Sequence, residues 1–162
     1  MAREISAGGV VVRRMAQKWW IAAIEPQKEA PAGPAPTKQK SQKVILALPK
    51  GLVDPGEKPE QTARREVQEE TGLEASLVTK LTDIKYVYVR TWGDQQRVFK
   101  IVSFYLLRYR GGRMDDVAPA MRMEVQRALW LPLEEAPQKL AYRGEKEVVR
   151  LAQRYLDAHP EL

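Results

Sequence analysis

The chain has 162 residues, of which 44% are hydrophobic and 30% are charged, and this balance is typical of a globular protein with one core. It contains no cysteine, which excludes disulfides, thiolate nucleophiles and zinc–thiolate or iron–sulfur sites. The only histidine, His159, lies close to the end of the sequence, which disfavours histidine catalysis. The formal net charge of +6 favours polyanionic partners such as nucleotides, polyphosphates or RNA, although a solvated basic surface needs no partner.

The sequence gives no sign of a membrane segment. It has no apolar run long enough to cross a bilayer, and its start, MAREISAGG, lacks the layout of a secretory signal. We therefore expect a cytoplasmic protein with no membrane association, made of one domain over residues 1–162. The sequence leaves the oligomeric state open.

The first half of the chain alternates strand-like and polar segments. Two runs rich in β-branched and aromatic residues, ISAGGVVVRR and KWWIAAIEP, predict two strands joined by a short turn near Met15 to Lys18. Residues 26–43 are rich in proline and lysine and predict a mobile loop. VILALP then predicts another strand, and KPEQTARREVQEETG predicts a helix from about Pro59 to Thr71, with Gly72 as a left-handed C-terminal cap.

The second half predicts strands followed by a helix. The segments ASLVTKL, DIKYVYVRT and QRVFKIVSFYLLRYR are strand-like, and the polar WGDQ between the last two favours an antiparallel hairpin. VQRALWLP predicts a further strand, LEEAPQKL a helical turn, and GEKEVVRLAQRYLDA an amphipathic helix. Helices interleaved with strands predict an α/β sandwich.

Three acids of the first helix lie on one side of it. At 100° per residue, Glu66, Glu69 and Glu70 fall within an arc of roughly 100°, beside a face that can pack on a sheet. Two carboxylates about 5.5 Å apart repel by roughly 3 kcal/mol at an effective dielectric of 20, but exposed helix pairs show only a few tenths of a kcal/mol. The acids therefore form either a solvated face or a site that holds a cation.

The segment from Gly51 to Leu73 distinguishes these two interpretations. It reads GLVDPGEKPEQTARREVQEETGL, with a glycine, a glutamate, an Arg-Glu pair, a Glu-Glu pair and a closing Gly-Leu at the spacing of the Nudix signature. The sequence resembles the Nudix hydrolases. That resemblance implies an α/β/α sandwich with a mixed β-sheet, and hydrolysis of a phosphoanhydride bond in a nucleoside diphosphate derivative.

The resemblance also implies roles for the acidic residues. Oxygen ligands without cysteine or histidine suit Mg²⁺, with Mn²⁺ as a substitute. By resemblance the metal ligands are Glu66, Glu69 and Glu70, with the backbone carbonyl of Lys50. Glu69 is the first candidate for the catalytic base, and Glu124, which precedes a predicted strand, is the second acid expected to meet the metal or the water.

Four further residues of the signature are expected to support the site. Gly51 lets the loop turn tightly, and Gly72 ends the helix. The family pairs Arg65 with Glu57, which would tie the loop to the helix.

Outside the signature, three segments resemble the diadenosine polyphosphate hydrolases of the family. LPKG places Lys50 where a lysine could contact phosphate. Tyr88 lies close to a tyrosine position of that branch and could stack on a base. LAYRGEKEVV resembles the segment before the last helix, where Tyr142 and Arg143 could bind substrate. A dinucleoside polyphosphate is therefore the leading substrate.

Several alternatives stay open at this point. Nucleoside triphosphates, including oxidised ones, are the next candidate substrates, followed by the 5′ end of an RNA. A non-catalytic Nudix domain that senses nucleotides or binds RNA would carry the same signature. A basic nucleic-acid-binding protein with a solvated acidic helix is a further alternative.

Overall fold

The computed structural model describes residues 2–27, 44–90, 93 and 95–162. Most of the predicted loop at 26–43 lies outside the described residues. Its first residue, Pro26, ends a strand, and the backbone N–H of Gln27 donates to the carbonyl oxygen of Glu124 at 3.0 Å.

The described chain folds into strands and helices in nearly the predicted order. A 3₁₀ helix, Pro119–Met123, precedes the last strand. The strands are β1 (Ala2–Met15), β2 (Lys18–Pro26), β3 (Lys50–Leu52), β4 (Leu73–Val89), β5 (Arg97–Gly112) and β6 (Val125–Pro132), and the α-helices are α1 (Pro59–Thr71), α2 (Ala136–Lys139) and α3 (Arg143–Ala158).

All six strands belong to one mixed sheet. The strand order is β4-β5-β1-β2-β6, and β3 pairs with β1 outside this path. β1 runs parallel to β5 and antiparallel to β2 and β3. Because β1 lies at the centre, its side chains reach both faces of the sheet.

A helix covers each face of the sheet. On one face, Ala63 and Val67 of α1 belong to a buried cluster with Val11 of β1. On the other face, Val148 and Ala152 of α3 belong to the main core. This arrangement confirms the predicted α/β/α sandwich with a mixed sheet. The helices in the described residues are too short or too polar to span a bilayer.

Some boundaries differ from the prediction. The two segments predicted after α1 form one continuous strand, β4, in which register shifts interrupt the pairing with β5 at three places. Bulges of this kind let a long strand bend without ending. Within VILALP, Leu46 and Ala47 make only isolated bridges, and the regular pairing begins at Lys50.

Candidate active site

Helix α1 presents its acids toward the short strand that precedes it. The helix begins where Pro59 occupies the first turn, and Gln61 accepts the backbone N–H of Lys58 at 2.9 Å. It ends at Gly72, whose φ of +82° is the left-handed conformation that glycine adopts without strain. The sequence predicted Pro59 at the start of this helix and Gly72 as its C-terminal cap, and the structure confirms both boundaries.

Gly51 brings the backbone of β3 against the first of these acids. A Cβ atom at Gly51 would lie 2.1 Å from Oε2 of Glu66, which is far inside van der Waals contact. Gly51 pairs with Ala7 of β1, so the position of β3 is fixed from the other side. Only a glycine at position 51 leaves room for the Glu66 carboxylate.

Arg65 connects the loop to the acidic face. Its Nε donates to Oε2 of Glu57 at 2.8 Å, so the predicted pair is present. Its Nη1 donates to Glu69 Oε1 at 2.9 Å and to Glu66 Oε1 at 3.2 Å, and its Nη2 donates to the carbonyl oxygen of Leu52 at 3.1 Å. With Asp54 Oδ2 at 3.4 Å from Nη2, one guanidinium thus contacts four carboxylates and the backbone beside Gly51.

Glu70 lies deeper than its neighbours. It is 9% exposed, and its Oε1 accepts the backbone N–H of Lys50 at 2.9 Å. Lys50 therefore lies next to the acidic helix, as predicted, and its backbone is directly beside Glu70.

Burial and mutual repulsion raise the pKa of two of the acids. The pKa of Glu66 rises to about 7, through burial first and then the charge of Glu69. The pKa of Glu70 rises to about 8, through burial first and then the charge of Glu66. Glu124, just before β6, adds a smaller part to both shifts, so its charge lies within electrostatic reach of these two acids. The carboxylates of α1 repel one another, and a bound cation would relieve their repulsion.

The donor set fits a hard divalent cation, but the carboxylates do not yet converge on one point. In the part of the chain that the structure describes, no group of three acidic or histidine side chains is arranged to hold a metal ion. Arg65 explains this, because it holds Glu66 and Glu69 by their Oε1 atoms. In this conformation Arg65 holds two of the acids, whereas Glu70 contacts the backbone of Lys50.

The 3₁₀ helix and the residues before it hold Glu124 in place. Asp115 Oδ1 accepts the backbone N–H of Ala128 at 2.8 Å and Nη1 of Arg122 at 2.9 Å. The backbone N–H of Asp115 donates to the carbonyl oxygen of Thr71 at the end of α1, at 2.8 Å. These contacts fasten the chain that carries Glu124 to the helix that carries the other acids.

The side chain of Lys50 points to a residue that the sequence did not single out. Its Nζ donates to Oε2 of Glu145 at 2.9 Å and lies 5.7 Å from the centre of the Tyr142 ring. Burial alone would lower the pKa of Lys50, but the charge and hydrogen bond of Glu145 outweigh it, and the pKa is raised. Lys50 is thus a charged lysine already paired within the protein.

The other predicted substrate residues lie along the same side of the sheet. Tyr142 precedes α3 and is half-buried, and Arg143, the first residue of α3, is exposed. Tyr88 is only 9% exposed, so little of its ring is open to a base in this conformation. Lys100 and Glu4 form a loose pair at 3.8 Å between the neighbouring strands β5 and β1.

Comparison with known proteins agrees with this architecture. The NUDIX domain profile matches residues 6–152, which is most of the chain. This chain belongs to the Nudix family of hydrolases, which act on nucleotide derivatives and generally use a divalent metal.

Two relatives and one solved structure illustrate the similarity to known proteins. The protein named MutT4 in Mycobacterium tuberculosis (strain CDC 1551 / Oshkosh) is 39% identical over 115 residues. These residues are 71% of this chain and 44% of that protein, so this chain spans less than half of that relative. The bis(5′-nucleosyl)-tetraphosphatase [asymmetrical] of Rattus norvegicus is 34% identical over 116 residues, which are 69% of this chain and 72% of that protein. A C. elegans Ap4A hydrolase binary complex has the same fold, with a TM-score of 0.69 at 21% identity over 96% of this chain and 98% of that chain.

Proposed function

We propose that this chain hydrolyses a phosphoanhydride bond of a dinucleoside polyphosphate, with Mg²⁺ held by Glu66, Glu69, Glu70 and the backbone carbonyl of Lys50. The observation that carries the proposal is the group of crowded carboxylates on α1, two of which have a raised pKa because each is buried beside another acid. Such repulsion makes the site unfavourable without a cation, and carboxylate oxygens are ligands that Mg²⁺ prefers.

The protein residues divide the catalytic work by their positions. When bound, Mg²⁺ would neutralise phosphate oxygens and lower the pKa of a nearby water. Glu69, with 34% of its side chain exposed against 13% for Glu66, is the acid best placed to accept a proton from that water. The water oxygen forms a bond to phosphorus, the anhydride P–O bond breaks, the leaving phosphate takes the bonding electrons, and a Glu69 oxygen takes the proton.

Arg65 and Glu57 hold the acids in position during this step. Because Arg65 also contacts Glu66 and Glu69, it neutralises part of their charge when no cation is bound. The contacts of Arg65 with Glu57 and Leu52 do not involve these two carboxylates, so they would remain with a cation bound. Glu124 is the second candidate for the base, because its charge contributes to the raised pKa of both Glu66 and Glu70.

Two observations support the choice of substrate class. One is the 34% identity to a tetraphosphatase over 72% of that protein's length. The other is the half-buried Tyr142 ring at the entrance of α3, followed by the exposed Arg143. An aromatic face suits stacking on a base, and a neighbouring guanidinium suits a charged phosphate chain.

The proposal extends to the location and the charge of the protein. The chain acts as a single domain in the cytoplasm, and its net charge of +6 attracts polyphosphates in solution. The 5′ end of an RNA and nucleoside triphosphates share the phosphate chemistry and are the competing substrates.

A substrate panel tests the proposal. The purified chain is assayed with Mg²⁺ against diadenosine tetraphosphate, ATP, 8-oxo-dGTP, ADP-ribose and 5′-triphosphorylated RNA, and kcat/KM is compared. We expect the highest value for diadenosine tetraphosphate, with ATP and AMP as products. A higher value for another compound would reject the substrate class, and no hydrolysis of any compound would favour a non-catalytic nucleotide-binding domain.

A further inference from the structure

Glu145 is a buried carboxylate that receives two hydrogen bonds from one short segment of chain. It lies in the first turn of α3 and is 4% exposed. Its Oε1 accepts the backbone N–H of Leu48 at 2.7 Å, and its Oε2 accepts Nζ of Lys50 at 2.9 Å. Both oxygens are therefore directed to the segment that leads into β3.

A buried ion pair of this kind is weak evidence for stability. Removing two charges from water costs about as much free energy as their attraction returns, and well-packed apolar residues often serve the fold equally well. The N-terminal turn of α3 helps to hold the charge of Glu145, because the helix dipole favours an anion there. The pair is better explained by the geometry that it imposes on residues 48–50.

The same segment is held on its other side by β1. Lys50 pairs with Gly8 of β1, and a Cβ atom at Gly8 would lie 2.4 Å from the carbonyl oxygen of Pro49 and 2.7 Å from Cβ of Lys50. The backbone of β1 at Gly8 and the backbone of residues 49–50 thus lie too close together for any side chain at position 8. With β1 on one side and Glu145 on the other, residues 48–50 have little freedom to move.

The position of this segment determines the geometry of the metal site. The backbone N–H of Lys50 donates to Oε1 of Glu70 at 2.9 Å. The carbonyl group of the same residue belongs to the proposed ligand set. A shift of residues 48–50 would therefore move a donor to Glu70 and a metal ligand together.

We propose that Glu145 is a positioning residue for the metal site, acting from α3 through Leu48 and Lys50. The inference rests on the proposed function, because it takes the Lys50 carbonyl as a metal ligand. It also assigns the Lys50 ammonium to Glu145 and not to the substrate phosphates. The chain of contacts runs from α3 to α1 through Glu145, Lys50 and Glu70.

Three variants test this assignment. Glu145→Gln removes the charge and keeps the size of the side chain. The double variant Lys50→Met with Glu145→Leu replaces both charges by apolar groups of similar volume, so it keeps the core filled if the single variant folds poorly. Asp83→Asn is the matched control, because Asp83 also pairs with a lysine, Lys80, and accepts a hydrogen bond from Ser103.

Two readouts are needed, one of which does not depend on turnover. Mn²⁺ affinity is measured by electron paramagnetic resonance without nucleotide, and kcat, KM and the Mg²⁺ concentration for half-maximal rate are measured with diadenosine tetraphosphate. For the Glu145→Gln and double variants, we expect Mn²⁺ affinity and kcat to fall by about 10- to 100-fold, as is typical for partners that orient a metal ligand, with KM unchanged. Asp83→Asn should match the wild type in both readouts.

The outcomes separate this inference from the proposed function. Wild-type Mn²⁺ affinity and kcat in both Glu145 variants would overturn the positioning role. A raised KM with unchanged kcat would also overturn it, because the lysine would then serve the substrate phosphates. If the wild-type protein hydrolyses no nucleotide, the proposed function fails, while the Mn²⁺ comparison still decides whether Glu145 positions the metal site.

Discussion

Arg65 and Glu57 form a two-point ion pair, in which Nε donates to Oε2 at 2.8 Å and Nη2 donates to Oε1 at 3.0 Å. This contact, followed by the hydrogen bond from Thr62, lowers the pKa of Glu57 to about 2. The third nitrogen of the same guanidinium, Nη1, contacts Glu66 and Glu69. Arg65 therefore fixes the loop and partly neutralises the acidic face at the same time.

Arg65→Lys should damage both functions of this residue. A lysine is a single point charge and cannot make parallel hydrogen bonds to Glu57 while it contacts Glu69. We expect a loss of about 1 to 2 kcal/mol in the free energy of unfolding, measured by urea denaturation, and a lower kcat. Arg64→Lys is the control, because the neighbouring Arg64 donates instead to the carbonyl oxygen of Ala75. Equal effects of the two substitutions would contradict the role of Arg65.

The metal-free protein should become less stable as the pH rises. The pKa values of Glu66 and Glu70 are about 7 and 8 in the folded state, above the ordinary value of 4.5, so the folded state binds more protons than the unfolded state in this range. Stability is then lost progressively between about pH 4.5 and pH 8. The depressed pKa of Glu57 has the opposite sign, and its stabilisation is lost only below pH 4.5.

Thermal unfolding in EDTA from pH 5.5 to 8.5 measures this dependence. We expect Tm to fall with pH in the wild type and to fall less in Glu70→Gln. Added Mg²⁺ should raise Tm more at pH 8 than at pH 6, because the cation binds the ionised acids. If the Tm of the metal-free protein rises with pH across this range, the raised pKa values of Glu66 and Glu70 are contradicted.

Gly51→Ala should disturb the acidic site and leave the fold intact. The added methyl group would lie 2.1 Å from Oε2 of Glu66, so the carboxylate must move. We expect a large fall in kcat and a near-native circular dichroism spectrum. Gly111→Ala is the matched control, because its Cβ would meet only Glu74 Oε2, at 3.9 Å. If Gly51→Ala retained wild-type activity, the position of Glu66 would not matter for the reaction.

Glu124→Gln tests whether the acid before β6 belongs to the site. Its charge raises the pKa of both Glu66 and Glu70, so its removal should lower both values and stabilise the metal-free protein at pH 8. A base or a metal ligand at this position would also make kcat fall, by about 100-fold or more for a base. Unchanged stability and unchanged kcat would place Glu124 outside the site.

Local sequence signals account for much of the fold. Helix α1 begins at Pro59 and ends before Gly72 as predicted, because proline and glycine act within a few residues of their own positions. Strand β6 has the predicted bounds Val125–Pro132 for a similar reason, since Glu124 precedes it and a proline stands at its last position. The tie between Arg65 and Glu57 was also predicted, from the resemblance of the signature to its family.

Contacts between distant parts of the chain were not predictable in this way. Lys50 and Glu145 are 95 residues apart, and no local pattern around Glu145 distinguishes it from other acids of an amphipathic helix. The pairing of Glu4 with Lys100 likewise arises only because β1 and β5 are parallel neighbours. The bulges that make β4 one strand depend on pairing with β5 and leave no clear mark on the sequence.

The most direct test of the central claim is the Mg²⁺ dependence of diadenosine tetraphosphate hydrolysis by the wild type and by Glu69→Gln and Glu70→Gln. We predict that the wild type is active only with the metal, and that both variants keep the native fold and lose about 100-fold or more of kcat. Wild-type rates in both folded variants, or equal wild-type rates with Mg²⁺ and with EDTA, would contradict the account.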